Sequence, residues 1–111
     1  MNEDKRLYNQ FLNGNNNAFN YLISKYKNNV IYFISRYVKN IDVAEDIFQD
    51  VIVYILENKD KYNFDYSFKT YLYIIAKSRA LNYIKNNKNN TIELSEIANN
   101  LSEDKLLEIV F

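Results

Sequence analysis

The scarcity of residues that break regular backbone structure constrains this chain most. Its 111 residues contain no proline and a single glycine, Gly14. Folds built from strands and turns need glycine and proline at their turns, whereas helices exclude both residues from their interiors. Hydrophobic residues make up 48% of the chain, which is enough for one modest core. The sequence therefore predicts an all-α fold, a compact bundle of three to four helices in one domain.

Four segments show the spacing of apolar residues that is typical of amphipathic helices. We predict helices over 3–12, 16–39 and 42–58, with Asp42 as the N-cap of the third. A fourth helix is predicted over 67–90, with Ser67 as its N-cap and with cations and tyrosines on its exposed side. Residues 59–66 form the loop before it. The residues expected to face the core are Leu7, Tyr8, Phe11, Leu12, Phe19, Leu22, Ile23, Tyr26, Val30, Phe33, Ile34, Tyr37, Ala44, Ile47, Phe48, Val51, Ile55, Leu56, Phe68, Leu72, Ile75, Ala76 and Tyr83.

Charge is segregated along the chain although its net value is zero. Six basic and no acidic residues lie within 5–41, and six acidic residues accompany one lysine within 42–60. Residues 66–92 carry only basic charge, whereas 93–111 are mainly acidic. Such segregation indicates that different faces bind different partners. Mutual neutralisation of neighbouring helices is the alternative explanation.

The absence of several residue types argues against several classes of function. The chain has no cysteine, no histidine and no glycine-rich phosphate loop. Asp42, Glu45 and Asp46 have the spacing of a metal or acid–base pair, but the helix dipole explains carboxylates in a first helical turn more simply. We therefore expect no enzyme, no cofactor and no metal site. The chain also lacks a long apolar span and a secretory signal, so we expect a cytoplasmic protein without membrane contact.

Three motifs in order resemble a known family. They are AFNYLISKY from Ala18, AEDIFQDVIVYIL from Ala44, and SFKTYLYIIAKSRALNYIK from Ser67. Together they resemble region 2 of the sigma-70 family of bacterial RNA polymerase sigma factors, most closely the extracytoplasmic-function group. The resemblance implies a helical domain over 1–90 that binds core RNA polymerase and melts the minus-ten promoter element. Residues 91–111, with a possible short helix from Ser102, would be an acidic linker toward region 4, the family's second DNA-reading module, which has no counterpart in this sequence.

The resemblance assigns the docking of polymerase to the third predicted helix. Asp46, Gln49 and Asp50 match the positions with which the family binds a basic coiled coil in the clamp of the largest, β-type polymerase subunit. An exposed acidic patch suits that partner because opposite charges speed encounter and fix register. A solvated helix face without a partner is the alternative. The resemblance also implies an anti-sigma factor as a partner.

The resemblance assigns DNA binding to the loop and the fourth helix. Family residues that match 63–66 receive a base flipped out of the non-template strand, and residues that match Phe68, Thr70 and Tyr71 border the opened DNA. Lysine and arginine side chains would contact phosphates. Tyr71 has an alternative role as a half-buried core residue whose hydroxyl meets water. The residues expected to bind DNA are Lys61, Asn63, Tyr66, Lys69, Thr70, Tyr71, Lys77, Ser78, Arg79, Asn82 and Lys85.

The chain departs from the family pattern on the fourth helix. Tyr71 stands where tryptophan is usual, Ser78 and Asn82 stand where asparagine and aspartate are favoured, and Ile74 replaces a residue that is often basic. These departures leave the preferred promoter sequence open. The main alternative function is a helical protein-interaction module that binds a regulator without touching DNA. A small helical enzyme or metal-binding bundle is the second alternative.

Overall fold

A computed structural model of the chain describes residues 2–87, which form four α-helices and one 3₁₀ turn. No strand occurs in that part of the chain, and the predicted all-α bundle is confirmed. The longest helix packs against each of the other three. The predicted linker and its terminal helix lie outside the described residues. The elements are α1 (Glu3–Leu12), α2 (Asn16–Val38), α3 (Ile41–Glu57), the 3₁₀ turn (Lys59–Lys61) and α4 (Phe68–Asn86).

Short polar side chains cap the start of each helix. Asn2 and Asn15 accept hydrogen bonds from N–H groups in the first turns of α1 and α2. Ser67 accepts one from the Thr70 N–H at 3.0 Å, so its predicted role as the N-cap of α4 is confirmed. Caps of this kind satisfy backbone donors that have no partner inside the helix.

The start of α3 differs from the prediction. Asn40, rather than Asp42, is the N-cap, and its side chain accepts hydrogen bonds from the N–H groups of Asp42 and Val43 at 2.9 and 3.1 Å. The helix therefore begins at Ile41, and Asp42 lies inside its first turn. A carboxylate is still stabilising there because it faces the positive end of the helix dipole.

Residues that leave helical geometry end α2 and α4 earlier than predicted. Lys39 adopts a φ of 62° and caps α2, whose last helical residue is Val38. Asn87 has extended backbone and ends α4 at Asn86, ahead of the predicted end at residue 90. Asparagine favours such ends because its side chain competes for backbone hydrogen bonds. Gly14 follows α1 with a φ of 102°, the left-handed geometry expected of it.

The core draws large side chains from every helix. Tyr8, Leu22, Phe48 and Phe68, one from each helix, are each 0% exposed. Burial of a side chain of this size contributes about 1.5–3 kcal/mol. The predicted inward sides of α1 and α2 are confirmed, with Tyr26, Phe33 and Tyr37 packed at the edge of the core.

Leu56 is the residue predicted for the core sides of α3 and α4 that the structure exposes. It is 41% exposed, because helical spacing places it on the same side of α3 as Gln49 and Val53. Ile75 and Tyr83 are partly buried and pack against the core, as predicted. The buried side of α4 also continues through Ala80 and Ile84, at four-residue spacing from Phe68, Leu72 and Ala76.

Candidate functional site

One side of α3 carries polar and apolar residues that the fold leaves exposed. Asp46, Gln49 and Asp50 are all exposed. Their spacing of three and four residues places them on one side of the helix. Val53 and Leu56, 48% and 41% exposed, continue the same side toward its end. These five residues are called the α3 face below.

The acids of the α3 face have no internal ion pair in the described part of the chain. Ion pairs there join Lys25 of α2 to Glu3 and Asp4 of α1. These two acids raise the pKa of Lys25 by hydrogen bonding to its ammonium group, Asp4 more than Glu3. Neutralisation between neighbouring helices therefore operates between α1 and α2 but not between α3 and α4 within residues 2–87. Asp46 and Asp50 stay available for a partner.

A groove of about 370 Å³ runs between α2 and the start of α3 and reaches the α3 face at Gln49. Its lining includes Lys27, Tyr32, Ile41 and Glu45. Tyr32 and Ile41 are 66% and 51% exposed, so the groove offers apolar surface beside charges of both signs. Neither residue could be identified from the apolar spacing, because Tyr32 lies off the apolar stripe of α2 and Ile41 lies between the second and third predicted helices. The signal that could have identified them is an apolar residue that lies outside the predicted core and beside an acidic patch.

The segment Tyr62–Tyr66 is closed by its own hydrogen bonds, and we call it the base loop. The Tyr62 hydroxyl donates to the Tyr66 carbonyl at 2.7 Å, and the Tyr66 N–H donates to the Asn63 carbonyl at 3.1 Å. The Asp65 N–H donates to the Asn63 side chain at 2.9 Å. This arrangement buries Tyr62 but leaves Asn63 exposed and Tyr66 60% exposed. An exposed ring beside polar groups can stack on a nucleic-acid base and hydrogen-bond its edge.

Five aromatic residues from three parts of the chain pack beneath and within the base loop. The Tyr62 ring lies at the centre, and burial raises the pKa of its hydroxyl to about 12. The rings meet edge-on or tilted, which is the favourable geometry for aromatic pairs. The centroid distances from Tyr62 are 4.8 Å to Tyr8, 4.7 Å to Phe64, 5.0 Å to Tyr71 and 5.8 Å to Phe68. These five residues are called the aromatic cluster.

Tyr71 belongs to the aromatic cluster and is half-buried. Its hydroxyl is enclosed and has no hydrogen-bond partner among residues 2–87. Burial raises the pKa of Tyr71, and the neighbouring Tyr54 raises it further. The alternative role of Tyr71 as a half-buried core residue is therefore supported by its packing, except that its hydroxyl is enclosed and does not meet water. Only part of the ring is open to a ligand.

Replacement of Tyr71 by phenylalanine is expected to stabilise the fold by about 1 kcal/mol. The buried hydroxyl loses its hydration without gaining a hydrogen bond, and Tyr71→Phe removes that penalty while keeping the ring. Urea unfolding followed by circular dichroism measures the change. Tyr62→Phe is the matched control and should be destabilising by a similar amount, since it loses the bond to the Tyr66 carbonyl. A destabilised Tyr71→Phe variant would show that the hydroxyl has a partner.

Lys77 lies on the buried side of α4 and not, as predicted, on its exposed side. It is 2% exposed, and its Nζ lies 5.1 Å from the centre of the Tyr37 ring of α2. Ala76 and Ala80 beside it are fully buried, and their small side chains let α2 approach closely enough to cover the lysine stem. A lysine can bury its methylene groups in this way while its charge rests against an aromatic face.

The outer side of α4 meets α3 in a groove of about 350 Å³. Ser78, Arg79 and Asn82, three of the predicted DNA-binding residues, come together in its lining. The Arg79 guanidinium lies 5.2 Å from the centre of the Tyr54 ring of α3. Ile74, also in the lining, is 39% exposed and makes this surface partly apolar. The groove thus joins polar, cationic and apolar groups on one surface.

The remaining predicted DNA-binding residues flank the base loop and α4. Lys61 precedes the base loop and is exposed, as are Lys69 and Lys85 at the two ends of α4. Thr70 is half-buried, and its Oγ1 lies 2.8 Å from the Oγ of Ser67 at the helix start. Lys69 and Lys85 are 16 positions apart in the sequence, which places them on different sides of α4, so the exposed cations are not gathered on a single stripe.

Residues 2–87 present neither a metal site nor a membrane span. No three histidine, cysteine or carboxylate side chains in that range are arranged to hold a metal ion. No helix in the described range combines the length and the apolar character that crossing a bilayer requires.

The family model for Sigma-70 region 2 matches residues 22–90. The match begins within α2 and includes α3, the base loop and α4. No curated protein and no solved structure matches the chain significantly. Domains of this family are not enzymes; they bind core RNA polymerase and take part in promoter recognition. Since the match covers more than half of the chain, the protein belongs to the sigma-70 family and contains its region 2 domain.

Proposed function

We propose that the chain is the region 2 domain of an extracytoplasmic-function sigma factor. In this proposal the α3 face binds core RNA polymerase, and the base loop with the outer side of α4 recognises and melts the minus-ten element. The order and spacing of the sequence motifs support this group within the family. Residues 1–90 would form the domain and 91–111 the linker toward region 4.

The α3 face supports docking to a basic partner. Asp46 and Asp50 are exposed and lack an ion pair within residues 2–87, so binding breaks no internal contact of that kind. Complementary charge raises the association rate and selects the binding register. Val53 and Leu56 add apolar surface that becomes buried when a helix of the partner lies along α3. The α3 face thus combines charge for selectivity with apolar area for affinity.

The observation that carries the DNA-melting proposal is the exposure of Tyr66 on the hydrogen-bonded base loop directly before α4. Extruding a base from a duplex costs a few kcal/mol. Stacking on an aromatic ring returns about 1–3 kcal/mol per base, and polar groups such as Asn63 can add hydrogen bonds. The domain would then stabilise open DNA by binding it better than closed DNA. Phosphate contacts from Lys61, Lys69 and Lys85 would add salt-dependent affinity.

The proposal is tested by binding to short single-stranded DNA with a randomised central tract at low salt. Selection with the wild-type protein should enrich a sequence. Tyr66→Ala is expected to weaken binding to that sequence by roughly five- to hundredfold, because a stacking contact is lost. Lys85→Gln should weaken binding to all sequences alike and lower the salt slope by about one. If no sequence is enriched and both variants bind as wild type does, the DNA-melting function is excluded.

A protein-interaction module without DNA contact is the second candidate. Two of the expected phosphate contacts pack against aromatic rings: Lys77 is buried against Tyr37, and the half-buried Arg79 lies against Tyr54. In that case an anti-sigma factor or another regulator would bind the exposed surfaces. Joint neutralisation of the exposed lysines by glutamine would then have no effect on binding to single-stranded DNA, because the wild-type protein would not bind it specifically. Under the DNA-melting proposal the same triple variant binds single-stranded DNA more weakly than wild type. The three lysines are Lys61, Lys69 and Lys85.

A further inference from the structure

Tyr8 of α1 combines complete burial with a hydrogen bond to a distant segment. Its side chain is 0% exposed, and its hydroxyl donates to the Lys59 carbonyl at 2.7 Å across 51 residues of sequence. A residue that only fills a core needs no donor, since phenylalanine supplies the same ring. Burial raises the pKa of Tyr8, and the nearby Tyr71 hydroxyl raises it further.

The bonded carbonyl belongs to the segment that leads into the base loop. Lys59 begins the 3₁₀ turn, and the turn is closed by the Lys61 N–H, which donates to the Asn58 carbonyl at 3.0 Å. A second contact from α1 reaches the same residue, because the Lys59 Nζ lies 5.0 Å from the centre of the Phe11 ring. Tyr62, the first residue of the base loop, follows directly after the turn. A shift of Lys59 would therefore displace the base loop.

The Tyr8 ring also supports the base loop from below. Its centroid lies 4.8 Å from that of Tyr62 and 5.9 Å from that of Phe64, both in edge-on geometry. Tyr62 in turn holds Tyr66 through its hydroxyl. One continuous series of contacts thus runs from α1 through Tyr8 and Tyr62 to the backbone carbonyl of Tyr66.

We propose that Tyr8 is a positioning residue for the base loop. Its hydroxyl fixes Lys59 and its ring supports Tyr62, so that Asn63 and Tyr66 are held in place before DNA binds. This role rests on the proposed function of the base loop in receiving a flipped base. A site that is ordered in advance loses less conformational entropy on binding and discriminates better between bases. The family model matches residues 22–90, and Tyr8 lies before that segment, so the proposed role belongs to a residue outside the family match.

The test compares Tyr8→Phe with Tyr26→Phe in the full chain. Both variants lose one hydroxyl and keep the ring, but the Tyr26 hydroxyl donates to Asp4 and joins α1 to α2 instead of to the 3₁₀ turn. Two DNA probes are used. The first is the single strand that wild type enriches. In the second, one base of that strand is removed to leave an abasic sugar, at the position where this removal weakens wild-type binding most. Tyr8→Phe should lower the affinity ratio of intact to abasic DNA by roughly three- to tenfold, the effect of one hydrogen bond. Tyr26→Phe should leave the ratio unchanged.

Amide hydrogen exchange without DNA gives an independent second measurement. In Tyr8→Phe, exchange of the Lys61 and Tyr66 amides should be about fivefold faster or more, because the turn and the base loop open more often. Unchanged exchange in a folded Tyr8→Phe variant would overturn the positioning role, and so would equal effects from Tyr8→Phe and Tyr26→Phe. If wild type binds intact and abasic strands alike, base reading itself fails. Faster exchange would then show that Tyr8 orders a loop with no role in base recognition, which also overturns the proposal.

Discussion

Reversal of two charges on the α3 face, Asp46→Lys together with Asp50→Lys, is expected to weaken binding to core RNA polymerase by about a hundredfold or more. Like charges placed against a basic partner cost several kcal/mol, and each 1.4 kcal/mol corresponds to a factor of ten. The fold itself should be unaffected, because both side chains are exposed and have no ion pair within the described residues. Titration of the fluorescently labelled domain with core enzyme, without DNA, measures the affinity. Thermal unfolding of the same variant should agree with wild type.

Asp65→Lys is the control for this charge reversal, and it is compared with each single substitution, Asp46→Lys and Asp50→Lys, as well as with the double variant. It makes the same change of charge as either single substitution at an exposed residue, but on the base loop rather than on α3. Core binding in the absence of DNA should therefore be retained to within about threefold, since surface substitutions away from an interface have small effects. An equal loss in the control would indicate a nonspecific charge effect. A loss below tenfold in the double variant would mean that polymerase docks elsewhere.

Phe68→Ala is expected to reduce the free energy of unfolding by about 3–5 kcal/mol, the range found when a buried aromatic residue is truncated. Phe68 is fully buried at the start of α4 and touches the rings of Tyr8 and Tyr62. For a domain of this size the change corresponds to a melting temperature lower by about 15–30 °C. Calorimetry or thermal circular dichroism measures it. Large effects on stability are the rule where a cavity opens at the centre of a cluster.

Tyr66→Ala provides the contrast within the same segment. Tyr66 is also aromatic and lies two residues before Phe68, but its side chain is 60% exposed. Its removal should change the free energy of unfolding by less than about 0.5 kcal/mol while affecting DNA binding. If the two substitutions destabilise the fold equally, the base loop is packed differently from the arrangement described above.

Local sequence signals predicted most of the helical framework. The lack of breakers, together with Gly14 and Ser67 at helix boundaries, was sufficient to locate four helices. The exposure of Asp46, Gln49 and Asp50 also followed from their position opposite the apolar stripe of α3. Both kinds of prediction depend on residues within a few positions of one another, where helical geometry imposes a fixed spacing.

Predictions that depended on distant neighbours were wrong or missing. Lys77 was placed on the exposed side because charged residues are rarely buried, but its partner Tyr37 belongs to another helix and carries no signal in the local pattern. Leu56 was predicted to face the core, yet its spacing from Gln49 and Val53 places it on the exposed α3 face. The bond from Tyr8 to Lys59 crosses 51 residues, and spacing within one helix gives no information about it.

Because α1 packs against the aromatic cluster, the segment that is needed for folding is longer than the segment that matches the family model. A polypeptide trimmed to residues 22–90 would lose the rings of Tyr8, Phe11 and Phe19 and would uncover one side of Phe68. Small domains have only about 0.05–0.15 kcal/mol of stability per residue, so the loss of three core rings would exceed what such a fragment can tolerate. Two relatives that agree throughout the matched segment could therefore differ in whether they fold at all. The difference would lie in a short stretch that precedes the matched segment.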